Sequence, residues 1–300
     1  MKEDESVTLP DGRILGYAEY GDPNGKPVLF FHGWPSSRLQ AAYLNDDAAK
    51  RGIRVLAPDR PGIGKSDPFP KRRFSDWPKD VAGFADALEL PRFSVFGVSG
   101  GGPYTLATCS SLGERIERAA VVCGAPPLAD ESDRTHMHWA YRTLSGLKSV
   151  RRAALPALIP LSRWMIRRGS HRAPMSWMLK SVPKRDREAI HSGNGWDMVT
   201  RSYLVAVDNG PESMLTEGEL YIEPWDFNPE DIQVPVRFWH GLADANLPCE
   251  VAKRLSQRVP KSEGCWMEGE GHYSLAVFHS TEVLDWLVSR QAEERHSSAP

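Results

Sequence analysis

The sequence contains no long hydrophobic run. None of its 300 residues belongs to an apolar stretch of about 18 residues, the length that a membrane-spanning helix requires. The opening segment, MKEDESVTLPDGR, also has no apolar stretch of the kind found in secretory signal peptides. Both absences favour a cytoplasmic protein.

Cysteine is scarce, with four residues in the chain, and no two of them form a C-x-x-C pair. This spacing excludes the common zinc-knuckle and dithiol redox motifs. Cys109 and Cys123 lie among apolar residues, so we expect them to be small residues of the core. The sequence therefore predicts no metal and no organic cofactor, and it suits a reducing compartment.

The chain also carries little net charge. Its 37 Lys and Arg residues against 39 Asp and Glu residues leave a formal charge of −2. Because no strong positive field surrounds the molecule, nucleic acid is not an expected partner. Apolar residues make up 41% of the sequence and charged residues 25%, which is typical of a globular protein with a sizeable core.

Short apolar runs alternate with amphipathic segments in the first half of the chain. The apolar runs cover residues 25–33, 53–58, 93–98 and 116–123. Apolar residues recur at three- and four-residue spacing over 37–51 and 74–90, which indicates helices. This alternation predicts a parallel sheet with helices on both faces.

The two ends of the chain extend this sheet. Asp11-Gly12 separates two short strand-like segments, and this dipeptide predicts an antiparallel hairpin at the sheet edge. Late strands and a C-terminal helix are predicted at residues 234–240, 264–267 and 274–294.

The middle of the chain has no clear buried strand. Helical segments separated by proline and glycine are predicted at residues 138–147, 155–168 and 187–207. We therefore predict a helical cap (the inserted segment, 129–231) within a core domain formed by residues 1–128 and 232–300. A cap of this size predicts a covered pocket.

A G-x-S-x-G motif places Ser99 between a predicted strand and a helix that begins near Pro103. In this context a tight turn holds the serine hydroxyl clear of the sheet. Gly97 and Gly101 suit the points where backbone segments approach each other. The position therefore favours a catalytic nucleophile over an ordinary glycine-rich loop.

A nucleophilic serine needs a base and a group that orients the base. His272 follows the last predicted strand, and Asp244 follows the strand before it. In loops, histidines often only pack against their neighbours, and aspartates often only cap a turn or a helix. The order serine, acid, histidine along the chain is, however, one in which catalytic triads occur. His32 precedes Ser99 and His240 precedes the acid, so neither fits as the base.

Acyl transfer also requires donors for the developing oxyanion. The backbone N–H of Gly100 is the first candidate, because this residue directly follows the nucleophile. The second candidate is the backbone N–H of Trp34, in the His32-Gly33-Trp34-Pro35 loop after an early strand.

These motifs resemble the α/β-hydrolase fold superfamily, in the branch with a short HGW oxyanion loop. The matching segments are HGWPSS (32–37), DRPGIGKSD (59–67), GVSGGG (97–102), HGLADANLP (240–248) and GEGH (269–272). The resemblance implies the α/β fold class, with a mostly parallel eight-stranded sheet flanked by helices and a helical cap insertion. It also implies a metal-free Ser–Asp–His triad, and it makes residues 59–66 a structural turn near the active site with no catalytic role.

The resemblance favours a serine hydrolase that cleaves a small or medium apolar carboxylic ester through an acyl-enzyme on Ser99. Epoxide hydrolases and haloalkane dehalogenases carry Asp at that position. An aminopeptidase of the prolyl type, a C–C bond hydrolase and a non-catalytic receptor or scaffold stay open. Gly100 argues against the peptidase, whose motif usually has Trp there, whereas Glu217, Glu219 and Glu223 could hold a substrate amine.

The inserted segment is charge-segregated. Residues 142–187 contain twelve Lys and Arg against one acid, Asp186, whereas residues 208–231 contain eight acids and no Lys or Arg. We interpret these stretches as solvated faces that attract each other. The alternative is a membrane-surface contact through a basic amphipathic helix, although Pro156 and Pro160 argue against a single helix there. The sequence predicts no oligomeric state.

Overall fold

An eight-stranded sheet forms the centre of the protein. The computed structural model describes residues 1–135, 137, 142–143, 148–193 and 195–289. The strands are β1 (Lys2–Thr8), β2 (Ile14–Gly21), β3 (Lys26–Phe31), β4 (Ile53–Pro58), β5 (Phe93–Val98), β6 (Ile116–Val122), β7 (Val236–Gly241) and β8 (Ser262–Met267). Their order in the sheet is β1-β2-β4-β3-β5-β6-β7-β8.

Strands β1 and β2 form the predicted antiparallel hairpin, and β2 also pairs antiparallel with β4. The turn uses Gly12 at a φ of 88°, a conformation that glycine adopts without steric cost. Every other strand pair is parallel. The predicted fold class, a mostly parallel eight-stranded sheet flanked by helices, is confirmed.

Helices cover both faces of the sheet, so its central strands are buried. All six residues of β5 are buried, and its alternate side chains enter two separate apolar clusters. Val95 belongs to one cluster and Phe96 to the other. This two-sided burial explains the continuous apolar runs in the sequence.

Eleven α-helices can be placed within the described residues. They are α1 (Asn45–Lys50), α2 (Trp77–Ala87), α3 (Gly101–Ser111), α4 (Lys148–Arg168), α5 (Met175–Lys180), α6 (Lys184–His191), α7 (Gly195–Ala206), α8 (Glu212–Tyr221), α9 (Cys249–Arg258), α10 (His272–Phe278) and α11 (Ser280–Val288). Two 3₁₀ segments, Arg38–Leu44 and Phe74–Asp76, begin the helices predicted at 37–51 and 74–90.

The described residues between β6 and β7 contain helices and no strand, as predicted. The helix predicted at 138–147 lies largely outside the described residues. The segment 187–207 forms two helices, α6 and α7, because Gly193 adopts a φ of 45° between them. The division into a core of 1–128 and 232–300 and a cap of 129–231 stays a prediction.

Helix α4 is continuous, so the prolines do not divide it as expected. Pro156 and Pro160 lie one turn apart and are both exposed. Water can therefore hydrate the carbonyl groups that lose their N–H partners.

The predicted C-terminal helix is divided at His279 into α10 and α11, and residues 290–300 lie outside the described part. In the part of the chain that the structure describes, no helix has both the length and the apolar character needed to cross a bilayer.

Candidate active site

Ser99 occupies the sharp turn between β5 and α3. Its φ is 54°, in the left-handed region that residues with a side chain rarely adopt. Its N–H donates to the carbonyl of Val122 (2.9 Å), and its carbonyl accepts from the N–H groups of Gly102 (2.9 Å) and Ala125 (2.8 Å). These bonds hold the strained turn and leave the side chain partly exposed.

Two glycines make this turn sterically possible. A Cβ atom on Gly97 would overlap the hydroxyl of Thr105, and one on Gly101 would overlap the carbonyl oxygen of Phe31. The close approach of β3, β5 and α3 therefore requires glycine on both sides of Ser99, as the sequence motif indicates.

The structure brings Ser99, His272 and Asp244 into one hydrogen-bonded chain. Ser99 Oγ lies 3.0 Å from His272 Nε2, and His272 Nδ1 lies 2.7 Å from Asp244 Oδ2. His272 is the first residue of α10, and Asp244 lies in the loop after β7. Both distances are within the range for proton transfer to and from a base.

The Asp244 carboxylate is fully buried and well supplied with donors. Its Oδ1 accepts the backbone N–H groups of Asn246 (2.8 Å) and Leu247 (3.0 Å). Burial alone would raise the pKa of Asp244, but His272 and His240 outweigh it and hold the pKa well below its usual range. Asp244 is therefore an anion at neutral pH.

His272 is buried beside this anion. Burial lowers the pKa of His272, whereas the charge and hydrogen bond of Asp244 raise it, and the net pKa lies above that of a free imidazole. A negative carboxylate at Nδ1 stabilises the imidazolium that forms when Nε2 takes a proton.

His240, which precedes Asp244 in the chain and was not expected to be the base, is a further member of this group. It is 1% exposed, and its Nε2 lies 3.3 Å from Asp244 Oδ2 and 3.3 Å from the carbonyl of Leu247. Both neighbours are acceptors, so Nε2 must carry the proton. The sequence feature that could have indicated this contact is the position of His240 near the end of β7, four residues before Asp244.

The two predicted oxyanion donors lie side by side. A Cβ on Gly100 would be 3.0 Å from the backbone nitrogen of Trp34. Within the described residues, neither of these two backbone N–H groups donates a hydrogen bond to the protein. Both are therefore available to a ligand beside Ser99. Their role as an oxyanion hole stays a prediction.

The Trp34 loop is held by Arg60, from the DRPGIGKSD segment. The Arg60 guanidinium donates to the carbonyl of His32 and to the carbonyl of Gly33 (2.8 Å). In a trans peptide the C=O and N–H groups point in opposite directions. Fixing the carbonyl of Gly33 therefore fixes the direction of the Trp34 N–H.

Glu217 of α8 neutralises Arg60. Its carboxylate is fully buried, pairs with Arg60 and lies 3.0 Å from a nitrogen of Arg72. Burial raises the pKa of Glu217, but Arg60 outweighs this effect and the pKa falls to about 2. Because two guanidinium groups already satisfy this carboxylate, the expectation that Glu217 could hold a substrate amine is wrong.

Helix α8 also contacts both candidate oxyanion residues. The hydroxyl of Tyr221 donates to the carbonyl of Gly100 (2.9 Å), and the Trp34 indole N–H donates to the carbonyl of Met214 (3.2 Å). The rings of Trp34 and Tyr221 pack with centroids 5.9 Å apart. No local sequence motif identified Met214 and Tyr221 as neighbours of the candidate oxyanion residues, because these contacts depend on where α8 docks.

Cys123, Asp244 and His272 place potential metal ligands within 4.8 Å of one another. Burial raises the pKa of the Cys123 thiol well above its usual range, so it stays protonated. Asp244 is already committed to His272 and two backbone amides. The chemistry of these donors suits a proton relay and does not suit a metal site.

The sheet order and a serine at the turn after β5 define the class of α/β-hydrolase fold proteins. A family model described as alpha/beta hydrolase fold matches residues 26–162. An esterase from Exiguobacterium antarcticum superposes with a TM-score of 0.70 at 19% identity, covering 96% of this chain and 98% of that one. The chain therefore has the α/β-hydrolase fold, and its residues 26–162 match the sequence model of that family.

Two curated proteins are similar to the chain in sequence. A non-heme chloroperoxidase from Streptomyces lividans is 34% identical over 130 residues, which is 43% of this chain and 47% of that protein. An AB hydrolase superfamily protein from Bacillus subtilis is 22% identical over 272 residues, covering 89% and 91%. The stronger match therefore spans about half of the chloroperoxidase.

Proposed function

We propose that this chain is a serine hydrolase that cleaves small or medium apolar carboxylic esters. The observation that carries the proposal is the hydrogen-bonded chain from Asp244 through His272 to Ser99, with contacts of 2.7 and 3.0 Å. A serine beside a buried imidazole and an anionic carboxylate is the arrangement that activates a hydroxyl nucleophile.

In the proposed mechanism, Ser99 Oγ attacks the ester carbonyl carbon while His272 Nε2 takes the hydroxyl proton. The carbonyl electron pair moves onto oxygen, and the N–H groups of Gly100 and Trp34 stabilise the oxyanion. The intermediate collapses to an acyl-enzyme as the imidazolium protonates the departing alcohol. Water then attacks by the same route, and the carboxylic acid leaves Ser99 free.

The similarity to an esterase of known structure supports the ester as substrate, and so does the neutralised Glu217. A prolyl-type peptidase needs a free carboxylate for the substrate amine, and Glu217 does not supply one. The peptidase alternative then rests on Glu219 or Glu223. A C–C bond hydrolase would use the same Ser99, Asp244 and His272. An intact relay argues against a non-catalytic scaffold, because such proteins often lose a member of the triad.

Labelling with a fluorophosphonate probe tests the nucleophile. We expect stoichiometric labelling of the wild-type chain and none of Ser99→Ala, because the probe phosphonylates only an activated serine. Ser132→Ala, an exposed serine elsewhere, is the matched control and should label normally. Labelling of folded Ser99→Ala at the wild-type level would contradict the proposal.

A substrate panel tests the bond that is cleaved. We expect p-nitrophenyl esters of short to medium acyl chains to react faster than aminoacyl anilides, including the prolyl anilide. Ser99→Ala should abolish the ester activity in the same assay. A dominant rate with the prolyl anilide would favour the peptidase instead.

A further inference from the structure

Asp186 is a buried carboxylate of the inserted segment that the proposed mechanism does not use. It lies in α6 and is 2% exposed. Its oxygens accept the backbone N–H groups of His272 (3.0 Å), Tyr273 (2.9 Å) and Ser274 (2.8 Å). These are the first three residues of α10, so one side chain satisfies three of the N–H groups that a helix start leaves unpaired.

The backbone before α10 lies directly against this carboxylate. A Cβ on Gly271 would overlap the Asp186 side chain, so only glycine leaves room for the contact. The N–H of Gly271 donates to the hydroxyl of Ser274 (2.8 Å). The peptide groups on both sides of the His272 Cα are therefore fixed.

Among the described residues, no Lys or Arg side chain pairs with Asp186. Its neighbours on α6 are engaged elsewhere: Arg185 contacts Glu270 (3.3 Å), and Arg187 donates to the carbonyl of Val182 (2.6 Å). A buried carboxylate without a cation is costly unless its hydrogen bonds compensate. Here the compensation comes from the three amides of α10, and a positive charge on His272 would add to it.

We propose that Asp186 is a positioning residue for His272. It holds the backbone from which the imidazole projects, so that Nε2 reaches Ser99 while Nδ1 stays on Asp244. The inserted segment is then part of the catalytic apparatus and not only a cover above it. This inference rests on the proposed function of Ser99, Asp244 and His272.

The charge of Asp186 has a measurable consequence. Burial lowers the pKa of His272, while Asp244 and then Asp186 raise it. Removing Asp186 should therefore lower the pKa of His272 and move the acid side of the pH–rate profile to lower pH. A carboxylate that only stabilises α10 would change the melting temperature without changing this profile.

The test compares Asp186→Ala and Asp186→Asn with Glu188→Gln, a charge removal on the exposed side of the same helix. The readouts are the fluorophosphonate labelling rate from about pH 5 to about pH 9 and the thermal unfolding temperature. We expect Asp186→Ala to label roughly tenfold more slowly or worse, since small misplacements of a base are costly. Asp186→Asn should be intermediate, because its amide oxygen can still accept, and Glu188→Gln should match the wild type.

Three outcomes separate the inference from the proposed function. Folded Asp186 variants with the wild-type rate and pH profile would overturn the inference, even if they melt earlier. A wild-type chain that does not label at all would overturn the proposed function first. If neither variant folds, hydrogen exchange on the unmodified chain decides: slow exchange of the His272, Tyr273 and Ser274 amides supports the inference, and rapid exchange overturns it.

Discussion

At the scale of single residues, Ser99 combines backbone strain with a fixed side-chain direction. Its φ of 54° is unfavourable for any residue with a Cβ atom. The turn persists because hydrogen bonds from β6 and from α3 hold it and because Gly97 and Gly101 remove competing side chains. In the proposed mechanism, a hydroxyl held in this way would meet the substrate without further rearrangement, which would favour attack.

Gly101→Ala should damage this turn. The added methyl group would overlap the carbonyl oxygen of Phe31, so we expect the free energy of unfolding to fall by roughly 3 kcal/mol and labelling of Ser99 to be lost. Gly113→Ala is the control, because its nearest neighbour would be Val234 Cγ1 at 3.6 Å. Urea unfolding of both variants measures the difference, and equal stability would show that the turn can relax.

The pH dependence of the reaction should follow His272. Only the neutral imidazole can take the Ser99 proton, so the rate should fall as the pH drops through the pKa of His272. Since Asp244 raises that pKa, the decline should be centred above the value of about 6.5 expected for a free imidazole. Initial rates of ester hydrolysis across pH measure the midpoint, and a midpoint below that of free imidazole would contradict the assigned environment.

At the scale of elements, α8 joins the inserted segment to the candidate oxyanion hole. Glu217 balances Arg60, Arg60 holds the carbonyl of Gly33, and Tyr221 holds the carbonyl of Gly100. The direction of the Trp34 N–H therefore depends on how α8 docks against the sheet. A buried ion pair at this point serves orientation more than stability.

Glu217→Gln should destabilise the protein and weaken catalysis together. It leaves Arg60 and Arg72 without a buried anion, which costs roughly 3–5 kcal/mol, and it loosens the Gly33–Trp34 peptide. Chemical denaturation and kcat for a p-nitrophenyl ester are the measurements. Glu212→Gln, an exposed residue of the same helix, is the control and should change neither by much.

The ion pair between Glu217 and Arg60 should make the free energy of unfolding depend on pH in the acid range. The pKa of Glu217 is lowered by Arg60 to about 2, below its value in an unfolded chain. Its contribution is therefore complete above the unfolded pKa and is lost as the pH falls toward about 2. The free energy of unfolding of Glu217→Gln should therefore fall less steeply with decreasing pH than that of the wild type, because the variant lacks this titrating group. Urea unfolding of both proteins across the acid range measures the difference.

At the scale of the whole molecule, the charge segregation of the inserted segment has two interpretations. Its basic and acidic faces attract each other, or its basic helix contacts a membrane surface. Arg163 of α4 pairs with Asp208 at 2.8 Å, which joins the basic and acidic stretches of the inserted segment. The same helix exposes Leu158, Leu161 and Trp164 on one side, and Arg168 lies over the Trp164 ring. The pair agrees with two faces that attract each other, whereas the apolar side chains suit the membrane-surface alternative.

Vesicle pelleting distinguishes these interpretations. We expect the chain to stay in the supernatant with both neutral and anionic vesicles, because surface ion pairs within the inserted segment need no lipid. Pelleting with anionic vesicles alone, lost in Trp164→Ser, would establish the membrane contact instead. Trp196→Ser, in α7, serves as the matched aromatic replacement outside this helix.

The sequence predicted the strands well because a parallel strand that is buried on both faces has a short, continuous run of apolar residues. Strands β4 and β5 coincide with the predicted segments, and the hairpin turn lies at Asp11-Gly12. The helices of the inserted segment were predicted less well. Helix α4 remains continuous despite its two prolines because they lie on its exposed side, where water can hydrate the carbonyl groups that lose their N–H partners. A sequence pattern does not show which side is exposed.

The sequence by itself determined the tight turn that holds Ser99 and the order of Ser99, Asp244 and His272, because the glycines and strand ends that support them are local features. Only the tertiary structure decided what surrounds them. Asp186 and His272 are 86 positions apart in the sequence, and Glu217 and Arg60 are 157 positions apart. Such contacts depend on how helices of the inserted segment dock on the sheet, and docking is set by packing between distant elements that no local pattern records.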